Sequence, residues 1–263
     1  VTRLLFDLRT IGVLVRRDLL LFFRQKGRVA GAVAQTLLIW LVLGAGMSPA
    51  FRPAGGGGYL EFFYPGALLM LLLLSSVAAS ISVIEDRHRG FLQAVLVGPG
   101  SRAALALGKS FGSSAICLAE AALFLLLSPW AGFPPTSVRW GSLIGAVCLT
   151  TVGLNALGFV LAWILDSTQA YHVAMSVLLF PLWILSGAVF PPTGLPPALA
   201  VAVRADPLSY ALAAMRRALC GGSLPQAALL PASFPWLEFG VVAALAVVGL
   251  AGAAWVARSA RAS

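Results

Sequence analysis

Few residues of this chain have the types and spacing that chemistry requires. Leu107-Gly108-Lys109-Ser110 has the ending of a phosphate-binding loop. That loop needs a glycine five residues before the Gly-Lys pair, and Ala103 stands there. Lys109 is therefore expected to snorkel at the end of an apolar helix, and the chain to bind no nucleotide itself. His88 and His172 are the only histidines, and no Gly-x-Ser-x-Gly elbow or His-Glu-x-x-His pair exists. Cys117, Cys148 and Cys220 lack metal-ligand spacing and suggest no disulfide framework. Neither a catalytic residue nor a metal site is expected, so the chain reads as non-enzymatic.

Two features remain. Glu120 is the one acid well inside an apolar segment. A charge at such depth is costly and is a functional candidate by default; the plain alternative is a glutamate hydrogen-bonded to a neighbouring Ser or Thr. Gln35 and Asn155 are weaker, since mid-span amides commonly hydrogen-bond between helices. Gly108-x-x-x-Gly112 and Gly141-x-x-x-Gly145 allow close helix packing, a weak signal in a chain with 27 glycines. The second feature is the run Glu85-Asp86-Arg87-His88-Arg89-Gly90, followed by the apolar face Phe91, Leu92, Val95, Leu96 and the stop Gly98-Pro99. A short amphipathic helix of this kind suits a groove on a partner; the alternative is an ordinary connection packed on headgroups.

The elements that position these residues are membrane helices. Of 263 residues, 60% are hydrophobic and 10% charged, against about 25% charged in a soluble domain. The net charge of +9 fits basic flanks on an anionic leaflet rather than nucleic acid. Residues 1–28 form an amphipathic interfacial helix with the stripe Leu4, Leu8, Ile11, Val15, Leu19 and Phe22. Its arginines give no sign of a cleavable signal. Spans are expected at 29–47, 62–84, 103–130, 140–165, 171–190 and 236–256, each near the ~20 residues that cross a bilayer. Residues 85–102 form the charged connection and 191–235 a proline-rich outer one. With the N-terminus inside, thirteen of the 18 Lys and Arg residues fall on inner segments, so both termini and the charged run are expected in the cytoplasm.

The charged run, read through Gly98-Pro99-Gly100-Ser101-Arg102, resembles a motif of ABC-2-type transporter permeases. Glu85, Arg87, Arg89, Gly90, Leu92, Val95, Leu96, Pro99, Ser101 and Arg102 fit that family's Glu-Arg-Glu-Arg-Gly-Thr-Leu-Glu pattern and its continuation, whereas Asp86, His88 and Phe91 depart from it. Ser186-Gly187 with Phe190-Pro191 and Asp206-Pro207-Leu208-Ser209-Tyr210 resemble two further family segments, in the same order.

The resemblance implies an all-α integral membrane protein: one interfacial helix, six transmembrane helices, N-in/C-in, with the type V exporter fold. It implies a homodimer of permeases in a bacterial inner membrane, in contact with membrane lipids and no nucleic acid. Two copies of an ABC ATPase would dock beneath, binding ATP and Mg; this chain would bind no cofactor. The ATPase-coupling residues would be Glu85, Asp86, Arg87, Arg89, Gly90, Leu92, Val95, Leu96 and Arg102, with Arg16, Arg17 and Arg24 of the N-terminal helix. The first and fifth spans would line the path through Gln35, Thr36, Trp40, Ser176, Phe180, Trp183 and Ser186, and Glu120 joins them as the buried acid. Pro207, Leu208, Tyr210 and Met215 would form a re-entrant outer gate. Cargo would be a hydrophobic drug, a lipid or a lipid-linked glycan. The competing readings are an ATP-independent channel or secondary transporter, and a scaffold that only tethers an ATPase.

Overall fold

The computed structural model describes residues 2–24, 26–49, 58–92, 100–165, 167–191, 195–221 and 234–259. Among them are nine helices and no strand: α1 (Thr2–Arg24), α2 (Lys26–Met47), α3 (Tyr59–His88), α4 (Arg102–Leu125), α5 (Trp140–Ile164), α6 (Thr168–Leu185), α7 (Pro197–Ala205), α8 (Pro207–Leu219) and α9 (Pro235–Ser259). Five of these, α2, α3, α5, α6 and α9, are long and apolar enough to cross a membrane, and the α7–α8 pair, bent by 78°, adds a sixth if it is one broken span. The chain is an all-helical, multi-pass membrane protein.

Three span ends differ from expectation by four or five residues; the fifth span, placed at 171–190, is α6, which stops at Leu185. The second span was placed at 62–84, but α3 continues to His88, so the acidic pair and the first basic residues form its last turn. The turn itself comes at Gly90, whose φ of 73° lies in the left-handed region that glycine enters without penalty. The third span was placed at 103–130, but α4 ends at Leu125 and turns follow through Gly132. Its 24 residues include Lys109, Ser110, Ser113, Ser114 and Glu120, all buried. They lower its apolarity and face protein rather than lipid.

α3 is the axis of the bundle, packed by α2, α4, α5, α6 and α8. Its apolar window is 72% buried, against 17% for α2 and 22% each for α6 and α9. In a soluble protein the exposed apolar faces of those three helices would be a liability; in a membrane such faces are covered by lipid or by another membrane helix. One end of the bundle is closed by aromatic rings. Tyr64 stacks on Phe124 at 4.9 Å and donates its hydroxyl to the Phe124 carbonyl at 2.8 Å, while Trp40 meets Tyr64 edge-on at 5.5 Å. The opposite end holds most of the charge.

Candidate functional site: a buried charge cluster and a cavity between helices

At the charged end, α1 runs alongside α4 because glycines open a groove for it. A Cβ on Gly108 would lie 2.8 Å from Leu14 Cδ1 and 3.2 Å from Ile11 Cα, and one on Gly112 would lie 2.8 Å from Asp18 Oδ2. The first of the two small-residue pairs is therefore a true close contact. The second is not: Gly141 faces open space and Gly145 has only ordinary contact with Phe239.

The groove brings four charges together. Lys109 Nζ donates to Asp18 Oδ2 at 3.0 Å, Asp86 Oδ2 at 2.9 Å and Ser82 Oγ at 3.2 Å. Arg17 clamps Asp86 with two parallel bonds, Nη1 to Oδ2 at 2.9 Å and Nη2 to Oδ1 at 2.8 Å, and reaches Asp18 at 3.2 Å. Lys109 is fully buried, Asp18 is 5% exposed and Asp86 3%. Two cations and two anions balance, so each charge keeps a partner away from water. The bonds to Asp86 raise the Arg17 pKa against the cost of its partial burial. The expectation that Lys109 snorkels to the surface is overturned. Its ammonium points inward, held by carboxylates on two other helices.

The residues assigned to ATPase coupling divide by orientation. Glu85 and Arg89 are exposed and form an i,i+4 pair at 3.4 Å; Arg16 is exposed as well. Arg102 is half-buried at the start of α4, which Ser101 caps by accepting the Ala104 N–H at 3.1 Å. Asp86, Arg17 and Arg87 serve the bundle. Arg87 donates to the Ala162 and Trp163 carbonyls at 3.1 and 2.7 Å, satisfying the last turn of α5. Leu92 is buried, and the Arg17 guanidinium sits 3.8 Å over the Phe91 ring. Val95, Leu96 and the Arg24 side chain lie outside the described residues. The apolar stripe expected on α1 also divides. Phe22 is buried, whereas Leu4 and Leu8 are 66% and 58% exposed; Leu14 and Asp18 form the docked face instead.

The path candidates separate in the same way. Gln35 and Glu120 line one cavity of about 250 Å³ between α2, α3 and α4, together with Gly27, Gly31, Ser75, Ala78 and Ile116. Ser75 Oγ donates to the Glu120 carboxylate, so the acid has the serine partner foreseen as its plain alternative and also faces open volume. Thr36, Trp40, Trp183 and Ser186 are buried, and each donates to a carbonyl of this chain: Ala32, Leu60, Gly66 and Trp183. They build the helix bundle. Ser176 and Phe180 are exposed on α6. Asn155 does bond between helices, donating to Ser76 Oγ at 3.1 Å.

At the aromatic end, Asp206 breaks α7 from α8 and caps α8 by accepting the Leu208 N–H and the Ser209 hydroxyl, both at 2.9 Å. Pro207 fills the first position of α8, where its missing N–H costs nothing. Leu208 and Met215 are buried, and the Tyr210 hydroxyl donates to the Arg204 carbonyl. Two neighbouring arginines hold this hairpin. Arg216, 3% exposed, donates to the Gly187 carbonyl at 2.8 Å beneath the Phe62 ring. Arg217 makes a two-bond pair with the buried Glu238 of α9.

Sequence reasoning missed Asp18, Arg216, Arg217 and Glu238. The available signal was two acids, Asp7 and Asp18, on an otherwise basic helix, with Asp7, Leu14 and Asp18 on one face. Asp7 accepts the Ser101 N–H at 2.7 Å, tying α1 to the start of α4.

Comparison with known proteins agrees with this architecture. The chain is 30% identical over 222 residues to the transport permease ycf38 of Cyanophora paradoxa, covering 80% of this chain and 74% of that protein. It is 26% identical over 215 residues to the ycf38 permease of Porphyra purpurea, covering 80% and 73%. The family described as ABC-2 type transporter matches residues 9–220, from the middle of α1 to the end of α8. The chain belongs to the ABC-2 type transporter family and is a multi-pass membrane transport permease.

Proposed function

We propose that this permease is the membrane subunit of an ATP-driven exporter whose ATPase is a separate cytoplasmic chain. The observation that carries the reading is the charged end of the bundle. There α1, the last turn of α3 and the first turns of α4 are locked by Arg17, Asp18, Asp86 and Lys109, with Glu85, Arg89 and Arg16 left exposed on the outside. A buried, matched cluster makes these three helix ends one rigid piece, and exposed charges give that piece a surface for a partner. Motion of the partner then reaches α3, the axis of the bundle, without dissipating in a flexible loop.

In this reading both termini and the charged end face the cytoplasm of a bacterial inner membrane. Two permeases pair, two ATPases dock, and ATP with Mg binds only to the ATPases. Residues 85–102 act as the coupling element and the α7–α8 hairpin as an outer gate. The apolar surroundings of Gln35 and Glu120 favour a hydrophobic or amphiphilic cargo, within a class that spans drugs, lipids and lipid-linked glycans.

The test is co-purification and coupled turnover. Glu85→Ala with Arg89→Ala removes an exposed pair worth about 0.3–0.5 kcal/mol, so the protein should stay folded in the membrane while losing ATPase binding or cargo-stimulated ATP hydrolysis. Full transport with the ATPase bound would remove the coupling assignment. Transport by the permease alone would favour the channel or secondary-transporter reading.

A further inference from the structure

The last turn of α3 sends successive side chains about 100° apart around the helix, and each goes to a different place. Glu85 is exposed. Asp86 turns inward to Arg17 of α1 and Lys109 of α4. Arg87 turns to α5. Its Nη2 donates to the Ala162 carbonyl at 3.1 Å and the Trp163 carbonyl at 2.7 Å, and its guanidinium carbon lies 5.3 Å from the centre of the Trp163 ring. Both carbonyls belong to the last turn of α5, beyond the reach of that helix's own N–H donors, and a cation suits that end of the helix dipole. Through Arg87 the end that carries the charge cluster is joined to a helix that contributes no charge to the cluster.

Beyond that contact lies α6. Thr168 starts it five positions after Trp163, and Ser167 caps it by accepting the Ala170 N–H at 3.4 Å. The buried residues of α6 form one stripe at steps of four: Tyr171, Met175, Leu179 and Trp183. Directional bonds hold its aromatic end. Trp183 Nε1 donates to the Gly66 carbonyl at 3.0 Å, and the Gly187 carbonyl just past the helix accepts from Arg216 at 2.8 Å. At the charged end the buried contact is Tyr171, whose hydroxyl lies 3.1 Å from where a Cβ on Gly158 of α5 would stand. The start of α6 therefore follows the end of α5, through a short connection and one packed ring. Apolar contact has no direction and lets two helices slide. The bonds from Arg87 fix where the end of α5 stands against α3.

We infer that Arg87 is a positioning residue for transport: displacement of the charged end reaches α5 and the start of α6 through its bonds to the Ala162 and Trp163 carbonyls. In the exporter reading, on which this rests, that displacement comes from a docked ATPase. Arg87 then works inward, on carbonyls of the permease itself, whereas Glu85 and Arg89 of the same stretch are exposed to a partner.

The test is hydrogen–deuterium exchange of the full-length permease with its ATPase in nanodiscs, without nucleotide and with Mg-ATP plus vanadate. In wild type, nucleotide should change exchange both in the last turn of α3 and at the α5–α6 junction, residues 161–171. Without nucleotide, Arg87→Ala should raise exchange at the junction about tenfold, the worth of one charge-assisted hydrogen bond. With nucleotide, it should keep the response in α3 and lose the response at the junction, a selective loss that a merely unstable protein does not show. Arg87→Lys, with an ammonium in place of the planar fork, should retain part of the junction response. Arg258→Ala, which removes an exposed cation at the same end, should respond as wild type. An undiminished junction response in Arg87→Ala would overturn the inference and leave the exporter reading standing. Loss of both responses with the ATPase still bound would overturn it too, since Arg87 would then act before the charged end moves. An ATPase that does not co-purify, or a wild type whose α3 turn ignores nucleotide, would remove the exporter reading and this role with it.

Discussion

Replacing Lys109 by methionine should be among the most damaging single changes in this protein. The substitution keeps the length of the side chain and removes one charge with three short contacts: Asp18 at 3.0 Å, Asp86 at 2.9 Å and Ser82 at 3.2 Å. Asp86 keeps its two bonds from Arg17. Asp18, 5% exposed, keeps only the 3.2 Å contact with Arg17, whose charge is already engaged. The cluster is left with two carboxylates and one cation, away from water. Breaking a buried pair in this way costs about 3–5 kcal/mol, two to four orders of magnitude in the folding equilibrium. Adding Asp18→Asn removes the stranded anion and leaves the matched Arg17–Asp86 pair, so the double variant should recover most of the loss. The assay is equilibrium unfolding in detergent micelles for wild type, both single variants and the double, closed as a cycle. A Lys109→Met cost within about 1 kcal/mol, as for a snorkelling lysine or an exposed ion pair, would rule out a matched, buried charge cluster. So would a double variant as unstable as the sum of the singles.

Three further outcomes follow from particular contacts. Gly108→Val should push Leu14 and the Ile11 backbone aside, cost about 1–3 kcal/mol by overpacking and expose α1 to limited proteolysis, whereas Gly27→Ala should leave proteolysis unchanged. Arg217→Met removes two bonds to the buried Glu238 carboxylate and should lower stability in the same unfolding assay by up to about 3–5 kcal/mol; Arg217→Met with Glu238→Leu should restore much of it. Asn155→Leu removes bonds to Ser76 and the Thr151 carbonyl and should cost about 1–3 kcal/mol, with Asn155→Gln no full substitute because its amide is one methylene further out.

How much of this was legible in the sequence depends on whether the signal is local. Apolar runs located α2, α3, α5, α6 and α9, because crossing a bilayer demands about 20 such residues in one stretch. The end of α3 was placed four residues early because hydropathy stops at Ile84, while helical bonding continues as long as Asp86 and Arg87 find partners on α1, α4 and α5. Those partners are distant in sequence: 91 positions separate Lys109 from Asp18. A lone lysine near a helix end therefore reads as a surface group. Arg17 was picked out for the right helix but the wrong direction. Gln35 and Glu120 were picked out as polar residues at depth, and the fold brings both to one cavity. Trp40, Trp183 and Ser186 were picked by position on the first and fifth spans, and their donors proved to be spent on carbonyls within the bundle. Orientation of a side chain around a buried helix is set by neighbours, and a helix buried on all sides has no amphipathic stripe to reveal it.

In the proposed exporter, the charged end of this bundle transmits work from a separate ATPase. The most direct measurement is cargo uptake into inside-out vesicles with the ATPase and ATP, comparing wild type with Glu85→Ala, Arg89→Ala at equal membrane content. Wild type should show ATP-dependent uptake, and the double variant should lose it. Uptake that is equal in both, or that proceeds without ATP, would rule out coupling through this end of the bundle.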